Sequence, residues 1–449
     1  MSFLAPVFCV VILLGVMIIV HELGHYWAAI ACGVKVETFS IGFGPRLFGF
    51  RRGETDFRVS AILFGGYVRM LGEMPVDTTP ESSEANPPAA QPLDPRSLQA
   101  KPRWQRAIVI AAGPFMNIVL AVAIVTGLYM YAFPKQVQTV NPPVTAIAPG
   151  SPAAKAGVEP GDKIVEIGGK KNPTWDDIFM KEAFSANHPL PVVVERHGHD
   201  LKLTVLPRVD PQEGIGVVGW SGEQDVRISE VEPHSPAAQA GLRPGDLLTA
   251  VNRKPIESSA TVQQAVIHSQ GKPIEFTFMR GGKAKSVSVT PVPNNSKQLP
   301  WHIGIGYKLK MEIVRLDFPQ AFVQSVRFNQ ENATMIFKVL GSLIERRVSS
   351  KVMTGPIGIA QMSSQAAQEG AWTCLFMLAV VSLNLAIFNL LHIPILDGGT
   401  LLMLIVEMLL HREVSMQAKE AIFKLGFVFL MMIVVFVIYN DISRILTQG

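Results

Sequence analysis

Runs of apolar residues divide the chain before any motif is considered. Four stretches, about 3–30, 104–133, 371–393 and 422–439, carry few charges, and each meets the roughly 20 apolar residues that a helix needs to cross a bilayer. With their flanks they predict transmembrane helices over 1–33, 104–133, 371–398 and 422–446. Residues 34–73 instead mix β-branched and aromatic side chains with glycine breaks and spaced arginines, which predicts short strands or hairpins at a membrane surface. Pro75, Pro80, Pro87, Pro88, Pro92, Pro95 and Pro102, set among Ser, Glu and Ala, predict a flexible linker over 74–103. The helical spacing of Phe322, Val326, Met335, Phe337, Leu340 and Leu343 predicts a helical connector over 311–370, lying on protein or on the membrane surface. Residues 399–421 are expected to be a loop.

The segment between the second and third spans repeats itself. SPAAKAGVEPGDKIVEIGGK at Ser151 recurs as SPAAQAGLRPGDLLTAVNRK at Ser235, an offset of 84 residues, and the same offset relates Arg196 to Arg280. A repeat that keeps register over this length marks two copies of one domain, over 141–225 and 226–310. In each copy β-branched strands flank a helix-like stretch, and Gly157-Val-Glu-Pro-Gly161-Asp162 matches Gly241-Leu-Arg-Pro-Gly245-Asp246. The pattern resembles the bacterial PDZ domain, which binds extended peptides by adding them to a sheet edge.

Composition narrows the class. At 449 residues, 48% of them hydrophobic, the chain exceeds one ordinary domain and is too apolar to be wholly soluble. The 40 basic and 36 acidic residues nearly balance, and no basic run interleaves with aromatics, so nucleic acid is not an expected partner. Cys9, Cys32 and Cys374 lie in or beside apolar runs without paired spacing and read as packing residues. The first apolar stretch has no basic n-region and is too long for a signal peptide. Arg103 and Arg106 precede the second span, and His411, Arg412, Lys419 and Lys424 lie between the third and fourth. Positive charge on short flanks marks the cytoplasmic side, which places both termini and residues 134–370 opposite.

Candidate chemistry sits inside the first span, at His21-Glu22-Leu23-Gly24-His25. On a helix the two imidazoles share a face and can grip one zinc ion, while Glu22 can serve as general base. H-E-x-x-H arises by chance in roughly one chain of this length in a hundred, but three ionisable residues in a span are costly unless they work or pair. Zinc hydrolases take three protein ligands. Glu37, Glu54 and Asp56 belong to the strand-like region, which leaves Asp397 in Leu396-Asp397-Gly398-Gly399. Alone, that motif reads as a turn closing a helix. At ~1.5 Å per residue, however, His21 to His25 lie roughly 27–33 Å from residue 3, and Asp397 lies a similar distance from residue 371, so both reach one membrane level.

H-E-x-x-H in a first span, Gly113-Pro114-x-x-Asn117 in a second, tandem PDZ copies and Asn389…Leu396-Asp397-Gly398 in a third together resemble the site-2 protease family of intramembrane zinc metalloproteases, over essentially the whole chain. The closest likeness is to its bacterial tandem-PDZ members. The resemblance implies a polytopic α-helical membrane protein with four transmembrane helices, a membrane-associated β region and two extracytoplasmic α+β PDZ domains. It implies Zn2+ on His21, His25 and Asp397, Glu22 as the catalytic residue, and Asn389, Asn384, Gly65, Gly66 and Tyr67 facing substrate. Expected partners are the lipid bilayer and membrane-spanning substrates, namely pre-trimmed anti-sigma factors and remnant signal peptides, in envelope-stress signalling. The expected location is the bacterial inner membrane, with periplasmic PDZ domains and the active site toward the cytoplasmic side.

One departure stands out. The family pattern N-x-x-P-x-x-x-L-D-G places proline at position 392, where this chain has His392, with Pro394 nearby; the bend is displaced, or His392 competes as a ligand. Asn117 serves helix packing or site support. A strand edge within 55–70 could pair with an unwound substrate, or the stretch is only a structural hairpin. A catalytically dead PDZ scaffold would have no need of the buried ionisable set, and a metal transporter would want more polar residues through its spans.

Overall fold

The structure is a computed structural model that describes all residues except 1–3, 73–93, 137–138, 211–213, 223–225, 257–258, 295–299, 309–310, 351–352, 354 and 449. Helix α1 (Leu4–Ala31) leads into strands β1 (Val36–Arg52) and β2 (Thr55–Met70) and then α2 (Arg103–Tyr131). The repeats contain α3 (Pro152–Lys155), α4 (Trp175–Ala183), α5 (Pro236–Gln239) and α6 (Ser259–Ser269). The chain closes with α7 (Phe318–Ile344), α8 (Pro356–Glu369), α9 (Ala371–Leu390), α10 (Asp397–Leu410) and α11 (Met416–Gln448). Two compact units result: Met1–Ala132 with Arg315–Phe337 and Met353–Gly449, and Phe133–Val314 with Lys338–Val352.

Among the described residues of the first unit, four helical segments are long and apolar enough to cross a membrane: Leu13–Ala31, Arg103–Tyr131, Ala371–Leu390 and Gln417–Ser443. The close approach of α1 to α2 depends on Gly24, where a Cβ would meet the Ala112 carbonyl oxygen at 2.3 Å. Ser382 on α9 donates to the Asn117 carbonyl oxygen of α2 at 3.0 Å.

The third span corrects the sequence reading. It ends at Leu390, and Leu391 turns to an extended conformation. Pro394 then disfavours helix in the residue before it, so Leu396-Asp397-Gly398-Gly399 does not close the third span but opens α10. Residues 397–410 are therefore helical where a loop was expected over 399–421. Apolarity alone gave no sign of the break, because residues 391–396 are mostly apolar too.

The β region is more than a hairpin. Residues 36–41 pair on one side with 66–70 and on the other with 56–59, and 55–60 pair again with 46–52. Two long strands thus fold into four runs, with 55–60 internal and 66–70 at an edge. A strand edge cannot be offered by all of 55–70; among the described residues, the run of that stretch with an unpaired side is 66–70. Ala29, Val34, Val36, Phe39, Val68, Met70, Leu98 and Val109 form the core beneath it. Leu98 belongs to the expected linker, yet it is buried, and its N–H donates to the Leu71 carbonyl at 2.8 Å. Residues 94–102 are thus docked, and the rest of that linker lies outside the described residues.

In the second unit, strand Phe133–Gln136 pairs antiparallel with Met311–Val314, so the connector expected to be helical from 311 begins as a strand. Each repeat packs one longer helix, α4 or α6, with antiparallel strands. Copy one pairs Lys163–Ile167 with Leu190–Arg196 and that strand with His199–Val205; copy two pairs Leu247–Val251, Ile274–Arg280 and Lys283–Val289 in the same order. The last strand of each returns beside the first, Trp220–Gly222 on Val144–Ile147 and Ile305–Lys308 on Arg227–Val231. Both copies are locked by the repeated motif. Arg196 grips Asp162 through Nε and Nη2 at 2.7 and 2.8 Å and also donates to the Gly157 carbonyl. Arg280 does the same to Asp246 and Gly241. Burial alone would push both carboxyls up, but the guanidinium outweighs it and holds each below the usual aspartate range.

Candidate metal centre

One turn of α1 separates His21 from His25, and both are buried. Their Nε2 atoms lie 3.2 Å apart. Asp397, the first residue of α10, brings Oδ2 to 3.2 Å from His21 Nε2 and Oδ1 to 3.7 Å from His25 Nε2. Among the described residues this is the one group of three such side chains with ligand atoms all within 4.8 Å of one another.

The donor set fits zinc. Bonds of about 2.0–2.1 Å at tetrahedral angles separate two ligand atoms by roughly 3.3–3.4 Å, close to the spacings found. The tautomers fit too. His25 Nδ1 sits 2.8 Å from the Val109 carbonyl oxygen, which can only accept, so Nδ1 carries the proton and the Nε2 lone pair is free for a cation. His21 Nδ1 lies 3.4 Å from the Asn117 amide, whose Oδ1 is buried without a partner. An amide turned end for end would accept the His21 Nδ1 proton through Oδ1, the tautomer that a ligating Nε2 requires. Asn117 thus touches both His21 through its side chain and Ser382 of α9 through its backbone carbonyl.

Close packing fixes the two halves of the centre. A Cβ on Gly113 of α2 would lie 2.2 Å from His25 Nε2, and one on Gly398 would lie 2.3 Å from the Leu390 backbone. Any larger residue at these positions would push the imidazole away or open the turn that carries Asp397.

Glu22 lies on the side of the β region, since a Cβ on Gly66 would come within 3.1 Å of its Cγ. Gly66 and Tyr67 belong to the edge run 66–70. The Tyr67 hydroxyl hydrogen-bonds to Arg58 and its ring stacks on Phe43, while Gly65 adopts a left-handed φ of 121° against that same Phe43. Asn389 stands beside the centre, its Nδ2 3.5 Å from His21 Nε2. Asn384, five residues earlier on α9, projects about 140° away around the helix and makes no hydrogen bond to the centre among the described residues. His392 is exposed and outside the ligand group. Sequence reasoning missed the Val109 carbonyl, which no side-chain pattern reports, and Asp441, a buried carboxylate in α11.

A family model described as "Peptidase family M50" matches residues 9–433. The regulator of sigma-E protease of Escherichia coli K12 is 31% identical over 467 aligned residues, covering 99% of this chain and 100% of that one. A Pasteurella multocida protein that bears the name of a zinc metalloprotease is 32% identical over 464 residues, with 99% and 100% coverage. Among solved structures, the PDZ domain of an SdrC-like protein from Listeria monocytogenes is 22% identical over 19% of this chain and 90% of that one, with a TM-score of 0.18.

Proposed function

The chain belongs to peptidase family M50 and is a zinc metalloprotease of the membrane; from that premise we propose that His21, His25 and Asp397 hold the zinc, that Glu22 is the catalytic base, and that the substrate is a membrane-spanning segment. The observation that carries this reading is the convergence of three donor atoms, all within 4.8 Å, beside Glu22 and an unpaired strand edge. When bound, zinc supplies a Lewis acid that polarises a carbonyl and acidifies water.

Glu22 takes the proton of the attacking water and returns it to the leaving amine. A spanning substrate hides its peptide bonds within its own helical hydrogen bonds. The edge run 66–70 offers those groups a replacement ladder, so an unwound segment lies along the edge and passes Glu22. Gly66 keeps the edge free of a side chain where it meets Glu22. Asn389, beside His21, donates to the substrate carbonyl.

Basic flanks support a reading in which the ends of the metal-bearing elements lie toward the cytoplasm and the PDZ copies on the opposite face, which for a bacterial inner membrane is the periplasmic one. A relative of this chain is named as a sigma-E regulator, which supports pre-trimmed anti-sigma factors, with remnant signal peptides, as the substrate class.

The test is Glu22→Gln in detergent with a spanning peptide substrate. Zinc content stays at the wild-type level and cleavage falls by at least about a hundredfold, and a hydroxamate inhibits the wild type. Near-normal turnover by the purified variant would remove Glu22 from the chemistry.

A further inference from the structure

Asp441 lies in α11, is only 3% exposed, and has no part in the chemistry described above. Its Oδ1 accepts the Gly355 N–H and its Oδ2 accepts those of Ile357 and Gly358, each at 3.0 Å. These are the opening N–H groups of α8, where Pro356 has none to give and the Gly355 cap has no side chain. A helix start needs such acceptors and favours a negative charge. Here the cap comes from another helix. The approach is tight, because a Cβ on Gly355 would meet Val437 at 2.6 Å and Asp441 at 2.7 Å.

Each end of this joint leads to the metal centre. On α8, Ala366 is buried in one cluster with Leu13 and Met17 of α1 and Met377 and Leu378 of α9, and Met17 stands one turn before His21. On α11, about 22 Å from Asp441 at 1.5 Å per residue, a Cβ on Gly426 would press on Pro394 at 2.7 Å. Lys419 also pairs with the buried Glu407 of α10 at 2.7 Å. Helix α11 is otherwise thinly packed, with 11% of its apolar window buried. It is fastened at one level to the turn that leads to Asp397 and at the other to the helix that packs on α1 one turn before His21.

We infer that Asp441 is a positioning residue: by capping α8 it closes a ring through α1, α8, α11 and the Pro394 turn that sets the distance between the two halves of the metal centre. This rests on the metal ligands proposed above. Loosening the cap lets α8 and α11 drift, and Asp397 and the histidines lose their relative placement without the loss of any ligand.

The experiment compares full-length wild type, Asp441→Ala, Asp441→Asn, Gly355→Ala and the Gly355→Ala/Asp441→Ala pair, in detergent, after cobalt replaces zinc for absorption spectra. In Asp441→Ala, kcat falls roughly tenfold while KM stays within about twofold, and the cobalt bands shift. Asp441→Asn, which keeps one acceptor oxygen, recovers part of both. Gly355→Ala breaks the same joint from the other side, so the double variant loses no more than the worse single one. An unshifted cobalt spectrum with wild-type kcat, or losses that add, would overturn the inference. If Asp441→Ala is not recovered folded, Asp441→Asn and Gly355→Ala carry the same comparison. A wild type that fails to cleave would instead strike at the protease reading, while the cobalt bands still report on the joint.

Discussion

Asp397 and Asp162 are both carboxylates drawn out of water, one in the helical unit and one in the repeat unit, and their partners differ in kind. Asp162, with its side chain 1% exposed, is held by a guanidinium that carries a permanent charge. Asp397 faces the Nε2 atoms of two imidazoles, and His25 commits the proton on its other nitrogen to the Val109 carbonyl. The first arrangement is complete as it stands. The second gathers donor atoms around one point and would be completed by a cation. Glu182 of copy one shows a third outcome, a half-buried side chain whose carboxyl meets the Trp220 indole and no cation among the described residues; burial pushes it up to about 8. Burial of an acid therefore says little by itself, and the charge facing it decides whether the group rivets, binds or stays protonated.

The sharpest break in this comparison is Asp397→Ala. Zinc affinity falls by more than the roughly 10–100-fold typical of losing a supporting group, read by metal analysis after dialysis, while the repeat unit melts unchanged. His392→Ala leaves zinc in place; the reverse pattern would move the ligand role to His392.

Removing residues 141–310 with the spans kept asks whether the repeat unit shares in the chemistry at all. As a filter, it should be dispensable for pre-trimmed substrate, and its loss should admit full-length substrate that the intact protein refuses. Slower cleavage of the trimmed form would make the pair a recruiter, and unchanged gel patterns for both substrates would defeat both readings.

Arg196→Ala or Arg280→Ala should lower the melting temperature of its own copy by roughly 5 °C or more and leave zinc content alone. Because Asp162 and Asp246 have folded pKa values below the unfolded ~3.9, their contribution is present at neutral pH and is lost as pH falls through the lowered value. Equal melting of variant and wild type by calorimetry would reduce the pair to ornament.

The smallest effect separates the copies by pH. Glu182 of copy one corresponds to Val266 of copy two, at the same offset of 84. An acid whose folded pKa is raised disfavours folding progressively as pH rises from its unfolded value to about 8. Copy one should lose a few degrees of stability across that window and copy two should not. Glu182→Val should flatten the profile of copy one, and an unchanged slope would exclude Glu182 as its source.

How much was legible in the sequence follows the same physics. His21, Glu22 and His25 were readable because helical periodicity places them without tertiary information. Asp397 was readable by motif, although the helix it opens was not, since residues 391–396 are mostly apolar like the spans around them, and the depth count assumed a span unbroken to 397. The Arg196 and Arg280 offset marked the repeats, but their grip on Asp162 and Asp246 needed the fold. Volume exchanges between the copies were equally hidden. Trp175 of copy one lies on Gly222, whereas Ser259 and Tyr307 hold the corresponding positions in copy two. Each residue looks unremarkable until strand pairing shows which one faces which.

The metal centre is assembled from opposite ends of the chain, and this sets a timetable for biosynthesis. The histidines leave the ribosome first, then both repeats are made, and only afterwards does Asp397 appear. A nascent chain held at the repeats has two of the three proposed ligands, so it should retain zinc weakly. Helix α11, made after Asp397, packs at Gly426 against Pro394 in the turn that leads to that residue. On the proposed ligands, proteolytic competence therefore waits for residues made long after the histidines.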